Sequence, residues 1–306
     1  MLFAYNGWYT VLENREILKM KRKENEMEHV ITEERLRMFE QSMRRDEKSD
    51  ATVRKYLHDL LAFREYTGGG CPVTKEVVIA YKQYLMGRYA VASVNSMLAA
   101  LNCFFKEYGW YDCVVKSLKV QRKSFRRSDR ELTREEYYRL ISTAWEKGNV
   151  RLSLIMQTIC STGIRVSELE FITVEALRSR RATVSLKGKT RVVLLPAELC
   201  RILRKYVKEH NISEGCIFVS RSGKPLDRSN IFHDMKALCE TAGVNPEKVF
   251  PHNLRHLFAI TYYDVEKDIS HLADILGHAS IDTTRIYTMV NGEEQAKQID
   301  NLKLVI

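Results

Sequence analysis

The sequence predicts a mainly α-helical protein with one small β-sheet, built as a four-helix N-terminal domain followed by a mixed α/β domain. Three observations carry this reading. Four stretches between Thr32 and Gly109 repeat apolar residues at three- and four-residue spacing. One pair of β-branched runs, Ala182–Leu186 and Arg191–Leu195, flanks Gly188 as a hairpin would. Between the two patterns lies a basic segment, Lys116 to Arg130, and a helix-start signal follows it at Thr133.

Residues 1–28 form an N-terminal extension with a Lys/Glu-rich end and no functional signal. In residues 29–115, Thr32 opens a helix that puts Leu36, Phe39 and Met43 on one face. Asp50 is read as the cap of the next, with Val53, Tyr56, Leu57, Leu60 and Phe63, ending at Gly68-Gly69-Gly70. Thr74 opens a third with Val77, Tyr81, Tyr84 and Leu85, and a fourth runs from about Ser93 to Gly109. Residues 116–130 are the linker. The second domain, 131–292, begins with the capping box Thr133-Arg-Glu-Glu136. An apolar helix, Leu152 to Cys160, breaks at Gly163, and the hairpin ends at Pro196. Glu198 to His210 reads as helix, Cys216 to Ser220 as a short strand, and Ser229 as the cap of a helix reaching Ala242. From His252 onward the pattern is helical, with turns at Lys267, Gly277 and Asn291; Ser280 or Asp282 can cap the last helix. Residues 293–306 form a tail carrying Ile299, Leu302, Leu304, Val305 and Ile306, apolar enough to need a partner surface.

At 306 residues the chain is long enough for two ordinary domains. No apolar run approaches the roughly 20 residues that span a bilayer, so no membrane association is expected. The first residues lack the basic lead and cleavage site of a secretory signal. Seven widely spaced cysteines without a CxxC fit buried thiols in a reducing compartment, which points to the cytoplasm. The net charge of +10 is uneven: residues 1–130 hold 24 Lys+Arg against 17 Asp+Glu, whereas 131–306 hold 25 against 22. Much of the excess is Lys116, Lys119, Arg122, Lys123, Arg126, Arg127 and Arg130. Such a run serves equally as a solvated linker or as a strap across a phosphate backbone, where each neutralised phosphate releases counterions.

Four places in the second domain concentrate chemistry. Thr162-Gly-Ile-Arg165-Val-Ser-Glu168-Leu puts an arginine at a glycine break, and Lys187 falls at the hairpin tip. Pro251-His252-Asn-Leu-Arg255-His256 sets His252 and Arg255 on one helix face. Leu276-Gly-His278 through Tyr287 adds a histidine and a tyrosine nine positions apart. Singly, each has an ordinary reading: an Arg165–Glu168 pair, a solvated turn lysine, helix histidines, a core tyrosine. The His252/His256 spacing imitates half of a zinc motif, but Asn253 stands where its general base would be, and no metal is expected. Together the residues leave a cationic constellation beside one hydroxyl nucleophile.

The four motifs TGIRVSEL, SLKGKTR, HNLRH and LGHASIDTTRIYT resemble, in order and spacing, those of the tyrosine recombinase, or phage integrase, family. The resemblance covers about residues 30–300, with one departure, Leu257, where the family usually has Thr. It implies that residues 29–115 are a SAM-like core-binding domain and that 131–292 are the catalytic domain. It makes Tyr287 the nucleophile toward a DNA phosphodiester, forming a 3′-phosphotyrosine. Arg165 and Arg255 would hold the non-bridging oxygens, His252 and His278 would hydrogen-bond the phosphate, and Lys187 would protonate the leaving 5′-oxygen. Glu168 would support Arg165 without touching phosphate. A planar, permanently charged guanidinium suits that task, and fixed cations make a metal unnecessary. A phosphotyrosine ester retains the energy of the broken bond, so religation needs no ATP, and no cofactor is expected.

The implied function is site-specific recombination by integration, excision, inversion or resolution. Its partners would be double-stranded DNA carrying recombination sites, accessory factors, and three further copies of the chain, a tetramer on synapsed DNA exchanging strands through a Holliday junction. Off DNA the expectation is a monomer or weak dimer, and in the cell a bacterial cytoplasmic protein at the nucleoid. The tail 293–306 would dock on a neighbouring protomer. The larger integrases carry an additional arm-binding domain, for which 1–28 is too short, so a simple Xer-like or mobile-element architecture is expected. The alternatives are a type IB topoisomerase-like enzyme and a catalytically inactive DNA-binding protein.

Overall fold

Short oxygen-bearing side chains start most of the longer helices. The structure, a computed structural model, describes residues 29–119, 130–186, 188–220, 222–288, 296–297 and 299–302. It divides into two units, Met1–Arg122 and Lys123–Ile306.

In the first unit, Thr32 caps α1 (Glu33–Arg45), its hydroxyl accepting the Arg35 N–H at 3.2 Å. Ser49, not Asp50, caps α2 (Asp50–Tyr66); Asp50 is the first helical residue, where its charge complements the helix N-terminus. Thr74 caps α3 (Lys75–Met86). Helix α4 (Val91–Glu107) begins two residues earlier than the sequence suggested and lacks a side-chain cap. Phe39, Phe63, Tyr81, Leu98, Phe104 and Phe105 form the centre of the core. Phe63 meets Tyr81 edge-on at 4.9 Å, and Phe39 meets Phe104 at 5.2 Å. Val78 rather than Val77 is the buried valine of α3, and Tyr84 is exposed.

Two asparagines on α4 grip the segment leaving this unit. Asn102 accepts the Val115 N–H at 3.0 Å and donates to the Val115 carbonyl at 2.8 Å. Asn95, two turns earlier on the same helix face, does the same to Leu118 at 2.7 and 2.9 Å. The amides substitute for a neighbouring strand, so 115–118 is held without a sheet.

In the second unit, the Thr133/Glu136 capping box starts α5 (Arg134–Glu146). Helix α6 (Val150–Thr162) packs against α5 and against α11 (Pro251–Glu266), which explains why it is buried almost all round, Ser153 and Thr158 included. It stops at Gly163, φ 66°, where a Cβ would fall 2.4 Å from Phe258. A 3-10 turn (Val166–Phe171) and α7 (Val174–Ser179) lead to an antiparallel hairpin of β1 (Arg181–Leu186) and β2 (Lys189–Leu194). The register runs from Arg181↔Leu194 to Leu186↔Lys189, so the second strand starts earlier than Arg191. Ala182, Val184 and Val193 face the core, and Val192 and Leu194 face outward.

After the hairpin come α8 (Ala197–Glu209), α9 (Arg228–Lys236) and α10 (Cys239–Ala242). Two expectations fail here. Cys216–Ser220 forms no strand, only the isolated bridges Thr173↔Cys216 and Val219↔Pro225. The helix from Ser229 is capped by Asp227, whose carboxylate accepts the Ser229 N–H at 2.6 Å, and it is interrupted after Lys236. Helices α11, α12 (Ile269–Leu276) and α13 (Ile281–Thr284) follow, with Lys267 and Gly277 in left-handed turns and Ser280 capping α13. A 3-10 turn, Arg285–Tyr287, follows α13 directly. Asn291 lies outside the described residues, as do Leu304, Val305 and Ile306; Ile299 and Leu302 are exposed. Among the described residues no helix is long and apolar enough to cross a membrane.

Candidate active site

Five of the six residues singled out for chemistry are described, and they converge in the second unit. Arg165 follows the left-handed Gly163 in extended conformation. His252 and Arg255 stand on the first turns of α11, His278 follows the left-handed Gly277, and Tyr287 ends the last 3-10 turn. Lys187 lies outside the described residues.

Arg255 is the buried centre, 1% exposed. Its Nη1 donates to the Gly163 carbonyl at 2.5 Å and its Nη2 to the Leu276 carbonyl at 2.7 Å. These carbonyls lie at the C-termini of α6 and α12. Two helix dipoles, each equivalent to roughly half a negative charge at that end, therefore meet the guanidinium. Among the described residues no carboxylate pairs with Arg255. Burial first, then Arg165, pushes its pKa down to about 10, so it remains a cation at neutral pH.

Arg255 Nη2 also lies 3.1 Å from His278 Nε2. A guanidinium only donates, so Nε2 accepts and the ring proton sits on Nδ1, which donates to the buried Thr284 hydroxyl at 2.8 Å. Burial, then Arg255 and Arg165, push the His278 pKa down to about 4. His252 is lowered by the same causes, burial ahead of Arg255 and His256. Both rings are neutral at pH 7. Because the folded pKa lies below the ordinary 6.5, the folded state binds fewer protons than the unfolded one between these values. His278 therefore contributes stability that is intact above pH ~6.5 and is lost as the pH falls toward ~4. Denaturant titrations across that window should show the loss, and His278→Asn should flatten its share.

Tyr287 is 3% exposed and packs in a small cluster with Ala259, Ile260, Leu272 and Leu276. Its ring stacks at 12° on His278 with centroids 6.3 Å apart, and lies 4.9 Å from that of His256. Burial raises its pKa, and Arg255 and Arg165 oppose the rise. The phenol is thus a protonated donor until something removes its proton.

Arg165 has a 43% exposed side chain, and its Nη1 pairs with Glu168 at 3.0 Å. Glu168 also accepts the Arg165 backbone N–H at 2.8 Å and is itself buried. The ordinary reading of this pair is therefore present, yet it leaves the rest of the Arg165 fork in the open.

Three features were not singled out in the sequence. Arg191 shares Glu168 with Arg165; strand alternation, which sets it on the side of Val193, could have marked it as an inward-facing charge. Thr284 partners His278 Nδ1 and can follow either tautomer, with no signal beyond its place in the last motif. His256 pairs with Glu131 at 3.2 Å, while Asn253 donates to the Arg130 carbonyl at 2.9 Å, so α11 anchors the chain where the basic segment ends. Of that segment, Lys116, Lys119 and Arg130 are exposed; Arg122, Lys123, Arg126 and Arg127 lie outside the described residues.

One group in the first unit brings metal-ligating atoms together: His29, Asp112 and Cys113, within 4.8 Å of one another. The Cys113 thiol donates to the Val73 carbonyl at 3.4 Å, and burial pushes its pKa up to about 12, so the protonated form is favoured there.

Residues 130–294 match the phage integrase family. Over 289 residues, 92% of this chain and 97% of the relative, the sequence is 28% identical to tyrosine recombinase XerA of Pyrococcus horikoshii. The fold is similar to that of XerH site-specific recombinase in a pre-cleavage complex with difH substrate, with TM-score 0.65, 20% identity, and 89% and 90% of the two chains covered. It is also similar to a lambda integrase tetramer bound to a Holliday junction, with TM-score 0.69, 20% identity, and 88% and 80% covered.

Proposed function

The chain belongs to the phage integrase family and is a site-specific tyrosine recombinase, and from that premise we propose that Tyr287 cuts DNA by forming a 3′-phosphotyrosine. Family membership does not favour the topoisomerase or inactive-binder alternatives. The observation that carries the residue roles is Arg255: a buried cation held by helix ends, touching His278 and adjoining Tyr287. A guanidinium without a carboxylate has its charge available for an incoming phosphate, and a dry site strengthens that attraction.

In the proposed step, Tyr287 Oη attacks phosphorus while the bond from phosphorus to the 5′-oxygen breaks. The phenol proton passes to His252, neutral for the reasons given, and Lys187 protonates the departing 5′-oxygen. Arg165 and Arg255 meet the charge on the non-bridging oxygens. When phosphate takes the Arg255 N–H, the Thr284 hydroxyl can reverse from acceptor to donor, which frees His278 to carry its proton on Nε2 toward the phosphate. Attack by a 5′-hydroxyl on the phosphotyrosine reverses the sequence with the same number of bonds, so ATP is not needed.

The proposed partner is duplex DNA with paired recombination sites, bound by a tetramer in which the tail 293–306 reaches a neighbouring protomer. We assign DNA binding to 29–115 as core-binding domain and to Lys116, Lys119, Arg122, Lys123, Arg126, Arg127 and Arg130, and catalysis to 131–292. The similarity to XerH bound to its difH substrate and to lambda integrase bound to a Holliday junction supports this reading. A DNA substrate also supports a cytoplasmic place at the nucleoid.

The test uses the duplex site that the wild-type chain selects from a randomised pool. On a nicked version, the protein should become covalently linked to DNA through Tyr287. Two such sites on one plasmid should yield recombinant joints; relaxation of supercoils with no new joints would contradict recombination.

A further inference from the structure

Arg191 is a charged residue on the inward side of a strand, opposite the buried Val184. Its side chain is 15% exposed and makes three directed contacts. Nη1 and Nη2 take the two oxygens of Glu168 at 3.2 and 2.9 Å. Nε donates to the Ile275 carbonyl at 3.2 Å, and the aliphatic stem lies against Gly277, where a Cβ would come within 2.7 Å of Arg191 Cδ. One side chain thus ties β2 to the Arg165 turn and to the turn that presents His278.

The sharing of Glu168 has an electrostatic consequence. A buried carboxylate facing Arg165 alone would draw its fork into a bidentate pair, consuming the donors that suit phosphate. With Arg191 gripping both oxygens, Arg165 meets Glu168 through Nη1 and its own backbone N–H. Two guanidiniums against one carboxylate leave a positive surplus, and Arg165 is the more exposed of the two.

We propose that Arg191 is a positioning residue for DNA cleavage: its bidentate grip on Glu168 keeps the Arg165 fork available to the scissile phosphate, and its bond to Ile275 sets His278 beside Arg255. This rests on the reading that Arg165 and His278 act at that phosphate.

The experiment measures single-turnover cleavage of the nicked selected duplex at saturating protein, with DNA affinity read separately. Losing an oriented donor of this kind costs on the order of 10²-fold, so R191M should cleave ~100-fold more slowly with Kd within ~3-fold of wild type. R191K keeps the charge but loses the fork and should fall ~10-fold, and it serves if R191M fails to fold. Adding E168Q to R191M should recover ~10-fold of the rate, because a neutral amide no longer captures Arg165. Wild-type cleavage by R191K, a rate loss in R191M fully matched by lost binding, or no recovery in the double variant would each overturn the proposal. Absence of an adduct with wild-type protein, or undiminished cleavage by R165M, would instead overturn the reading on which it rests.

Discussion

Tyr287→Phe should abolish the covalent protein–DNA adduct on the nicked duplex while leaving DNA affinity within ~3-fold, because it removes one hydroxyl and leaves the ring in place. No other hydroxyl among the motif residues is placed as nucleophile, so the rate should drop to background; removal of a nucleophile elsewhere costs on the order of 10⁶. The Phe ring still fills the cluster formed with Ala259, Ile260, Leu272 and Leu276. Stability should change by no more than about 1 kcal/mol, the usual scale for one hydrogen-bonding group. Denaturing gels read the adduct, and fluorescence anisotropy on intact duplex reads affinity. An adduct formed by the Phe variant would remove Tyr287 from its assigned role.

Arg255→Met should have the second largest effect, and unlike Tyr287→Phe it should cost both chemistry and stability. The guanidinium satisfies the Gly163 and Leu276 carbonyls at two helix ends. Leaving buried acceptors unmet costs about 1–3 kcal/mol each. Losing a cation at the developing charge costs on the order of 10²–10³ in rate. Arg255→Lys separates the two, since an ammonium retains charge but cannot span both carbonyls and His278. It should therefore recover part of the stability and little of the rate. A lysine variant cleaving at the wild-type rate would show that charge alone suffices and that the fork geometry described here is not needed.

The parts of the molecule that could be read in the sequence are those where a local rule and the tertiary structure agree. Thr32, Thr74 and the Thr133/Glu136 box begin helices where their chemistry says they should. Glycines 163 and 277 end helices because only they fit the left-handed turns against Phe258 and Arg191. Where two short polar residues stand one or two positions apart, the local rule is degenerate, and Ser49 and Asp227 cap instead of Asp50 and Ser229. The run Cys216–Ser220 has strand-like composition, but it finds only single-residue bridges and so does not extend a sheet. For the site, Arg165, His252, Arg255, His278 and Tyr287 were visible as motifs. Their supports were not, because Arg191 meets Glu168 across 23 positions and Asn253 meets Arg130 across 123. No periodicity in the chain encodes such a meeting.

The burial of Arg255 between two helix ends has a thermodynamic consequence. A fixed positive charge, moderated by backbone dipoles and more weakly by Glu168 but neighboured by Arg165, raises the free energy of the unliganded fold. An oxyanion entering the site relieves that repulsion and binds the folded chain alone, so occupancy and folding are linked. The chain is then most stable with phosphate in place, and releasing it restores the repulsion. On the proposed mechanism, part of the driving force for holding DNA through the covalent intermediate would thereby be stored in the fold before any DNA arrives.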